Sequence, residues 1–260
     1  MQTDRFALIR EHLYRVGSSS VEDLASLTRA SKPTVRRDLQ RLEVEGVIER
    51  FHGGARIVRG GGSEVAFELR EKRNIGLKRA IAEAAYALLQ PGQTIFLDTG
   101  TTILQLARRL RVGPLPLTVV TNGLPVAQEL LGLPGVRVIM TGGQLRAENL
   151  SLVGPYSERQ ISAFWCDQLF LGVSAVAEDG RIYSIDDAEA STNATMLRHA
   201  GQRIVLADAS KFGRRAPFVV ASLGEVTRVI TDDTLAPEWQ DRLARQGVVC
   251  TLVPAKEADR

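Results

Sequence analysis

The run Thr94-Ile95-Phe96-Leu97-Asp98-Thr99-Gly100-Thr101-Thr102 decides the fold class of most of this chain. Its first half is a short apolar run of strand character, and its second half opens a helical pattern over 101–110. A strand running straight into a helix is the repeating unit of a parallel sheet, and the pattern recurs downstream. Further strands are expected at 117–121, 136–141, 168–173, 203–207, 228–231 and 248–253, and helices at 75–89, 124–131, 187–200 and 237–246. Strands that read as nearly continuous apolar runs, separated by helices, indicate a mainly parallel sheet covered on both faces. Ligands in such sheets bind where strand carboxyl ends meet loops and helix N-termini.

Upstream the pattern changes. Arg59-Gly60-Gly61-Gly62-Ser63 reads as a flexible linker. It divides the chain into a domain over 1–58, a linker and connecting helix over 59–74, and an α/β domain over 75–255. In the first domain Phe6, Ile9, Leu13 and Val16 recur at helical spacing up to Gly17. A second helix is expected from an N-cap at Ser20, with Asp23 three residues on. A third begins at Ser31 with Pro33 in its first turn, buries Val35, Leu39 and Leu42, and stops at Gly46. Two β-rich runs, 47–51 and 55–58, flank the turn His52-Gly53-Gly54. Three helices and a hairpin, with a tight turn between helices two and three, read as a winged helix-turn-helix.

Composition narrows the function. Of 260 residues, 44% are hydrophobic and 24% charged, which suits a globular chain and excludes wholesale disorder. Aromatics are only 5%, so a base-stacking platform for single strands is not expected. Cys166, Cys250 and the 3 histidines have no ligand spacing, so no metal and no cofactor are expected. Charges at Asp4, Arg5 and Arg10 argue against a signal peptide, and no apolar run is long enough to span a bilayer, so a cytoplasmic protein is expected. The net charge is only +3, and a reader of nucleic acid needs its bases clustered. They are: Arg29, Lys32, Arg36, Arg37 and Arg41 stand against the single acid Asp38. The same cluster also fits a solvated helix face, or a helical hairpin used for dimerisation.

Helical rotation of 100° per residue puts Arg37 opposite the Val35–Leu39–Leu42 stripe, with Pro33, Thr34, Gln40 and Arg41 beside it. Arg forks suit guanine or phosphate, and Arg50, His52 and Arg56 in the wing lie within reach of a neighbouring backbone. His52 fits equally a turn residue packed at the wing. In the second domain, Gly100, Thr101 and Thr102 offer backbone N–H donors and hydroxyls suited to a phosphate, with Asp98 a partner for sugar hydroxyls. Thr101 also fits a plain N-cap. Thr121-Asn122, Gly142-Gly143 and Asp208-x-Ser210-Lys211 stand at other strand ends.

The order Leu24-Ala25, Ser31-x-x-Thr34-Val35-Arg36-Arg37-Asp38-Leu39, Leu42-Glu43 and Arg50-x-His52-Gly53-Gly54-Ala55 closely resembles the DNA-binding domain of the DeoR family of bacterial transcriptional regulators. The later motifs resemble that family's effector domain, which is similar in fold to ribose-5-phosphate isomerase. The resemblance implies double-stranded operator DNA as partner, with Ser31, Thr34, Arg36 and Arg37 in or beside the major groove; the basic cluster and the wing add Lys32, Arg41, Arg50 and His52 to the expected contacts. Asp38 is then a structural partner for a neighbouring Arg. The resemblance also implies a repressor of a sugar operon, a homo-oligomer, and a phosphorylated sugar as effector. That effector would be held by Asp98, Gly100, Thr101, Thr102, Thr121, Asn122, Gly142, Gly143 and Lys211. Asn193 and Gly123 depart from the family's usual Lys and Ser. The alternative is a sugar-phosphate isomerase with an accessory helix-turn-helix, using Asp98 as base and Lys211 as the enediolate's cation.

Overall fold

The computed structural model describes residues 2–44, 48–57, 67 and 69–255, and the chain divides into two compact units, Met1–Ala66 and Phe67–Arg260. The expected helix stop at Gly46, the strand ends at Val47 and Val58, and the linker 59–63 lie outside the described residues.

In the first unit, helix α1 (Gln2–Val16) ends at Gly17, whose φ of 82° takes the chain out of the helix. Helix α2 (Val21–Thr28) is capped at Ser20, whose Oγ accepts from Asp23 N–H at 3.0 Å. Arg29, left-handed at φ 50°, closes it and turns the chain into helix α3 (Lys32–Val44). Ile9, Leu13, Leu24, Val35, Leu39, Leu42 and Ile48 are buried together as one core. The wing is a three-stranded antiparallel sheet, β2 (Ile48–Phe51) and β3 (Gly54–Ile57) joined by β1 (Ser18–Ser20) in the order β1-β3-β2. Strand β1 is an addition to the sequence reading; three serines carry no apolar alternation to announce it. Gly54 is required there, because a Cβ would stand 2.5 Å from the Ser19 carbonyl oxygen.

The second unit is built on seven parallel strands: β4 (Thr94–Leu97), β5 (Leu117–Thr121), β6 (Val136–Met140), β9 (Cys166–Gly172), β12 (Ala200–Leu206), β14 (Arg228–Asp232) and β15 (Val249–Val253). Each answers to one of the expected strands. Alternation along them fills two cores. Phe96, Val120, Leu169 and Val205 pack on one face, and Ile95, Leu97, Phe170 and Ile204 on the other. Helices α4 (Ile75–Tyr86), α5 (Thr101–Val112), α6 (Leu124–Leu130), α7 (Pro155–Ile161), α8 (Asp187–Arg198) and α9 (Pro237–Arg245) connect or flank the strands.

The strand order is β15-β14-β12-β9-β4-β5-β6. The chain therefore starts mid-sheet at β4, runs out to one edge through β5 and β6, returns to β9 and runs to the other edge. The direction of winding reverses between β4 and β9. Loops leaving those two strands diverge, which opens a crevice beyond their carboxyl ends. Short antiparallel pieces also absent from the sequence reading cluster in the excursions: the hairpin β7 (Gln144–Arg146) with β8 (Ser151–Val153), and the sheet β10 (Ala175–Val176), β11 (Arg181–Ser184) and β13 (Phe218–Ser222).

Candidate functional site

Helix α3 presents in the first unit the face that its rotation predicts. Val35, Leu39 and Leu42 are buried, while Lys32, Arg36, Arg37, Gln40 and Arg41 are exposed. At its start the Ser31 and Thr34 hydroxyls lie 2.8 Å apart. The expected cations differ in their present engagement. Lys32 pairs with Glu22 and Arg50 with Glu43, whereas Arg36, Arg37 and Arg41 make no ion pair with another described residue. Exposed pairs of this kind contribute little and exchange readily for a stronger anion. Arg56 is likewise paired, with Glu49, and His52 stands exposed in the turn of the wing. Asp38 does take an Arg, though from helix α1: Arg5 forks onto both carboxylate oxygens. Buried at 1% exposure, that carboxylate ties α3 to α1 and is closed to DNA.

The second unit holds a cavity of about 280 Å³ at the reversal between β4 and β9. Asp98 leaves β4 and Thr99–Thr102 follow it into helix α5; Gly172 ends β9, and Val173 and Ser174 continue it. Gly172 N–H donates to Asp98 Oδ2 at 3.1 Å, so the carboxyl bridges the two diverging strands. Gly100 is the N-cap of α5, at φ 115° with no side-chain cap on the helix. The first-turn N–H groups of α5 and its positive dipole end thus open onto a cavity lined by Thr101 and Thr102. A Cβ on Gly100 would meet nothing within 4 Å, so glycine is there for its dihedral angle rather than for space.

Cations gather on the same cavity. Lys211 closes a 3₁₀ turn that Asp208 caps by accepting from Ser210 N–H at 3.1 Å, and Arg73 and Arg214 are exposed at the lining. Lys78, on α4, is 5% exposed and donates to the carbonyls of Arg70 and Arg73. Burial pushes its ammonium down to about 8 although Asp208 pulls the other way, and burial lowers Lys211 too. Asp98, 2% exposed, is raised well above the usual carboxylate range, first by burial and then by Glu189. Glu189 accepts from the Asn149 amide and the Ser184 hydroxyl.

Of the effector residues expected from sequence, the cavity brings together Asp98, Gly100, Thr101, Thr102 and Lys211. Thr121, Asn122, Gly142 and Gly143 lie outside its lining, at the end of β5 and in the connections next to the β7–β8 hairpin. Thr121 Oγ1 accepts from Gly123 N–H at 3.1 Å, and Asn122 is bonded to Leu152 through both its backbone carbonyl and its side-chain amide. Gly142 N–H donates to Gln160, and a Cβ on Gly143 would stand 2.7 Å from the Val153 carbonyl oxygen. Anchored this way, the hairpin connection brings Asn149 to the cavity, where its carbonyl accepts from Thr99 Oγ1 at 3.0 Å. Lys78, Asn149, Ser184 and Glu189 carry no signal of a ligand group in the sequence, and Asn193 stands out there only as a departure from the family's usual Lys. Lys78 reads as one more charge on a helix, and Asn149 stands in a turn between strands too short to recognise.

Comparison with known proteins agrees with both units. A model of the DeoR-like helix-turn-helix domain matches residues 5–60, and one of the DeoR C terminal sensor domain matches 73–233. The HTH-type transcriptional repressor CsqR of Escherichia coli K12 is 34% identical over 93% of this chain and 92% of its own length. The glycerol-3-phosphate regulon repressor of the same organism is 32% identical over 89% and 91%. Among solved structures, ribose 5-phosphate isomerase A of Methanocaldococcus jannaschii covers 54% of this chain and 55% of its own, with 19% identity and a TM-score of 0.40.

Proposed function

We propose that this chain, which belongs to the DeoR family of transcriptional regulators, represses a carbohydrate operon under the control of a phosphorylated sugar bound at the β4–β9 reversal. The chain is a DNA-binding regulator and not an enzyme; the isomerase alternative gives way to membership of a family of transcriptional regulators. Among its described residues no helix is long and apolar enough to cross a membrane. We place its action in the cytoplasm, where operator and metabolite meet.

One observation carries the effector reading: an uncapped helix N-terminus and a half-buried lysine, Lys211, share one cavity with a buried carboxyl. Backbone N–H donors and a nearby ammonium favour a dianion, and Asp98 suits the hydroxyls of a sugar. Thr121, Asn122, Gly142 and Gly143 support this site from behind. On DNA, Arg36, Arg37 and Arg41 take bases and phosphates directly, with Ser31, Lys32, Thr34, Arg50 and His52 at the flanks. One winged helix contacts too few bases for genomic specificity, so the chain acts as a homo-oligomer, dimer or tetramer, on half-sites about one DNA turn apart or a multiple of it.

A melting series tests the effector reading. Sugar monophosphates are compared with their parent sugars and with inorganic phosphate. A ligand at about 100 times its Kd stabilises the unit that binds it by about 2.7 kcal/mol. A melt raised by sugar phosphates alone supports the reading, and an equal rise with free sugars refutes it.

A further inference from the structure

Two buried acceptors on the cavity have no partner among the described residues. Asp98 Oδ1 and Asn193 Oδ1 both lack a hydrogen bond, on side chains 2% and 4% exposed that line the cavity. The remaining carboxylates there are engaged: Glu189 accepts from Asn149 and Ser184, and Asp208 from Ser210. Buried acceptors are rarely left open without a purpose, because desolvation is not repaid until a donor arrives. Asn193 reaches the cavity because it stands one helical turn after Glu189 on α8, so both share a face. Its helix is fixed at the start by Asp186, which caps Glu189 N–H at 2.9 Å. An acceptor on a helix held this way is pre-positioned for its ligand.

A phosphate offers no donor worth the name to these two oxygens. Its natural partners in the cavity are the α5 N–H groups and Lys211. A hydroxylated carbon chain offers what they lack. We propose that Asn193 is a specificity-determining residue whose Oδ1 accepts a hydrogen bond from a hydroxyl on the carbon chain of a phosphorylated sugar. This assignment rests on the reading that the cavity binds such a ligand, and adds which residue tells it from a bare phosphate or a simple phosphate ester.

The test is calorimetric titration of the full chain with a fixed panel of pentose and hexose monophosphates, with methyl phosphate as the probe lacking a hydroxylated chain. Asn193→Leu lowers affinity for the tightest-binding sugar phosphate by roughly tenfold, the cost of a hydroxyl left without its acceptor, and leaves methyl phosphate unchanged. Asn193→Asp keeps an oxygen in place and retains the preference for the sugar phosphate. Should Asn193→Leu not fold, Asn193→Ala gives the same comparison. An equal loss for both ligands, or no loss for the sugar phosphate, overturns the assignment while leaving the cavity reading intact. If no panel member binds the wild type, the cavity reading fails and takes this one with it.

Discussion

Replacing Gly100 by alanine isolates what the loop before α5 contributes. Its φ of 115° and ψ of 159° lie where only glycine is at ease, and a Cβ there would touch nothing within 4 Å. The cost is therefore torsional strain without steric clash, about 1–3 kcal/mol for a residue held in such a region. For a unit of this size each kcal/mol lowers Tm by about 2–4 °C, so a fall of roughly 2–12 °C is expected. Both tryptophans, Trp165 and Trp239, lie in the second unit, so urea unfolding followed by their fluorescence reports that unit alone. Gly154 is the matching control. It caps helix α7 at φ 90°, also with nothing within 4 Å, and does not line the cavity. Gly154→Ala costs comparable stability and spares sugar-phosphate binding. Gly100→Ala also loses binding, because the loop relieves its strain by turning the first N–H groups of α5 away. Unchanged stability in Gly100→Ala would mean that its dihedral angles store no strain, and the same binding in both variants that this loop does not hold the ligand.

Arg37→Ala weakens operator binding by about 1–3 kcal/mol and relaxes sequence choice, measured by anisotropy across a salt series; equal curves for mutant and wild type contradict this. The Lys78 ammonium, held near 8 against an ordinary 10.5, loses its proton in the native protein before the unfolded chain does. Stability therefore rises with pH from about 8 to about 10.5, by up to about 3 kcal/mol, and Lys78→Met flattens that rise in urea titrations. Asp98, raised in the native state, contributes with the opposite slope: stability falls as pH climbs from the ordinary carboxylate range through its native value. Asp98→Asn accordingly stabilises the ligand-free second unit by on the order of 1 kcal/mol at neutral pH while weakening sugar-phosphate binding; a destabilised apo variant contradicts the burial argument.

The sheet was legible because its strands are buried on both faces and read as unbroken apolar runs, each followed by a helix or turn signal. Their spatial order was not, since an apolar run says that a strand is covered and not which strand lies beside it. The cavity was half legible for the same reason. Asp98, Gly100, Thr101 and Thr102 share one stretch of chain, so their juxtaposition is local. Glu189, Asn193, Asn149 and Lys78 reach the cavity only through tertiary packing. Thr121, Asn122, Gly142 and Gly143 show the converse: strand-end residues of the expected types outside the cavity lining, with Asn122 bonded to Leu152 of the β7–β8 hairpin, Thr121 to Gly123 and Gly142 to Gln160 on α7. Asp38 makes a similar point in the first unit. Its acidic side chain inside a basic helix signals a partner, yet only the packing of α1 supplies Arg5 as that partner.

We propose that a phosphate seated at the N-terminus of α5 controls operator binding. Fluorescence anisotropy of the full chain on the operator it selects, titrated with a sugar phosphate that raises its melt, tests this directly when repeated with Thr101→Asp. The wild type should shift its operator affinity by about tenfold or more with the sugar phosphate and not with the parent sugar. Thr101→Asp, whose carboxylate occupies and repels the phosphate position, should keep its ligand-free operator affinity and lose the response. A parent sugar as effective as its phosphate, or a Thr101→Asp protein that still responds, would mean that operator binding is not controlled by a phosphate at the N-terminus of α5.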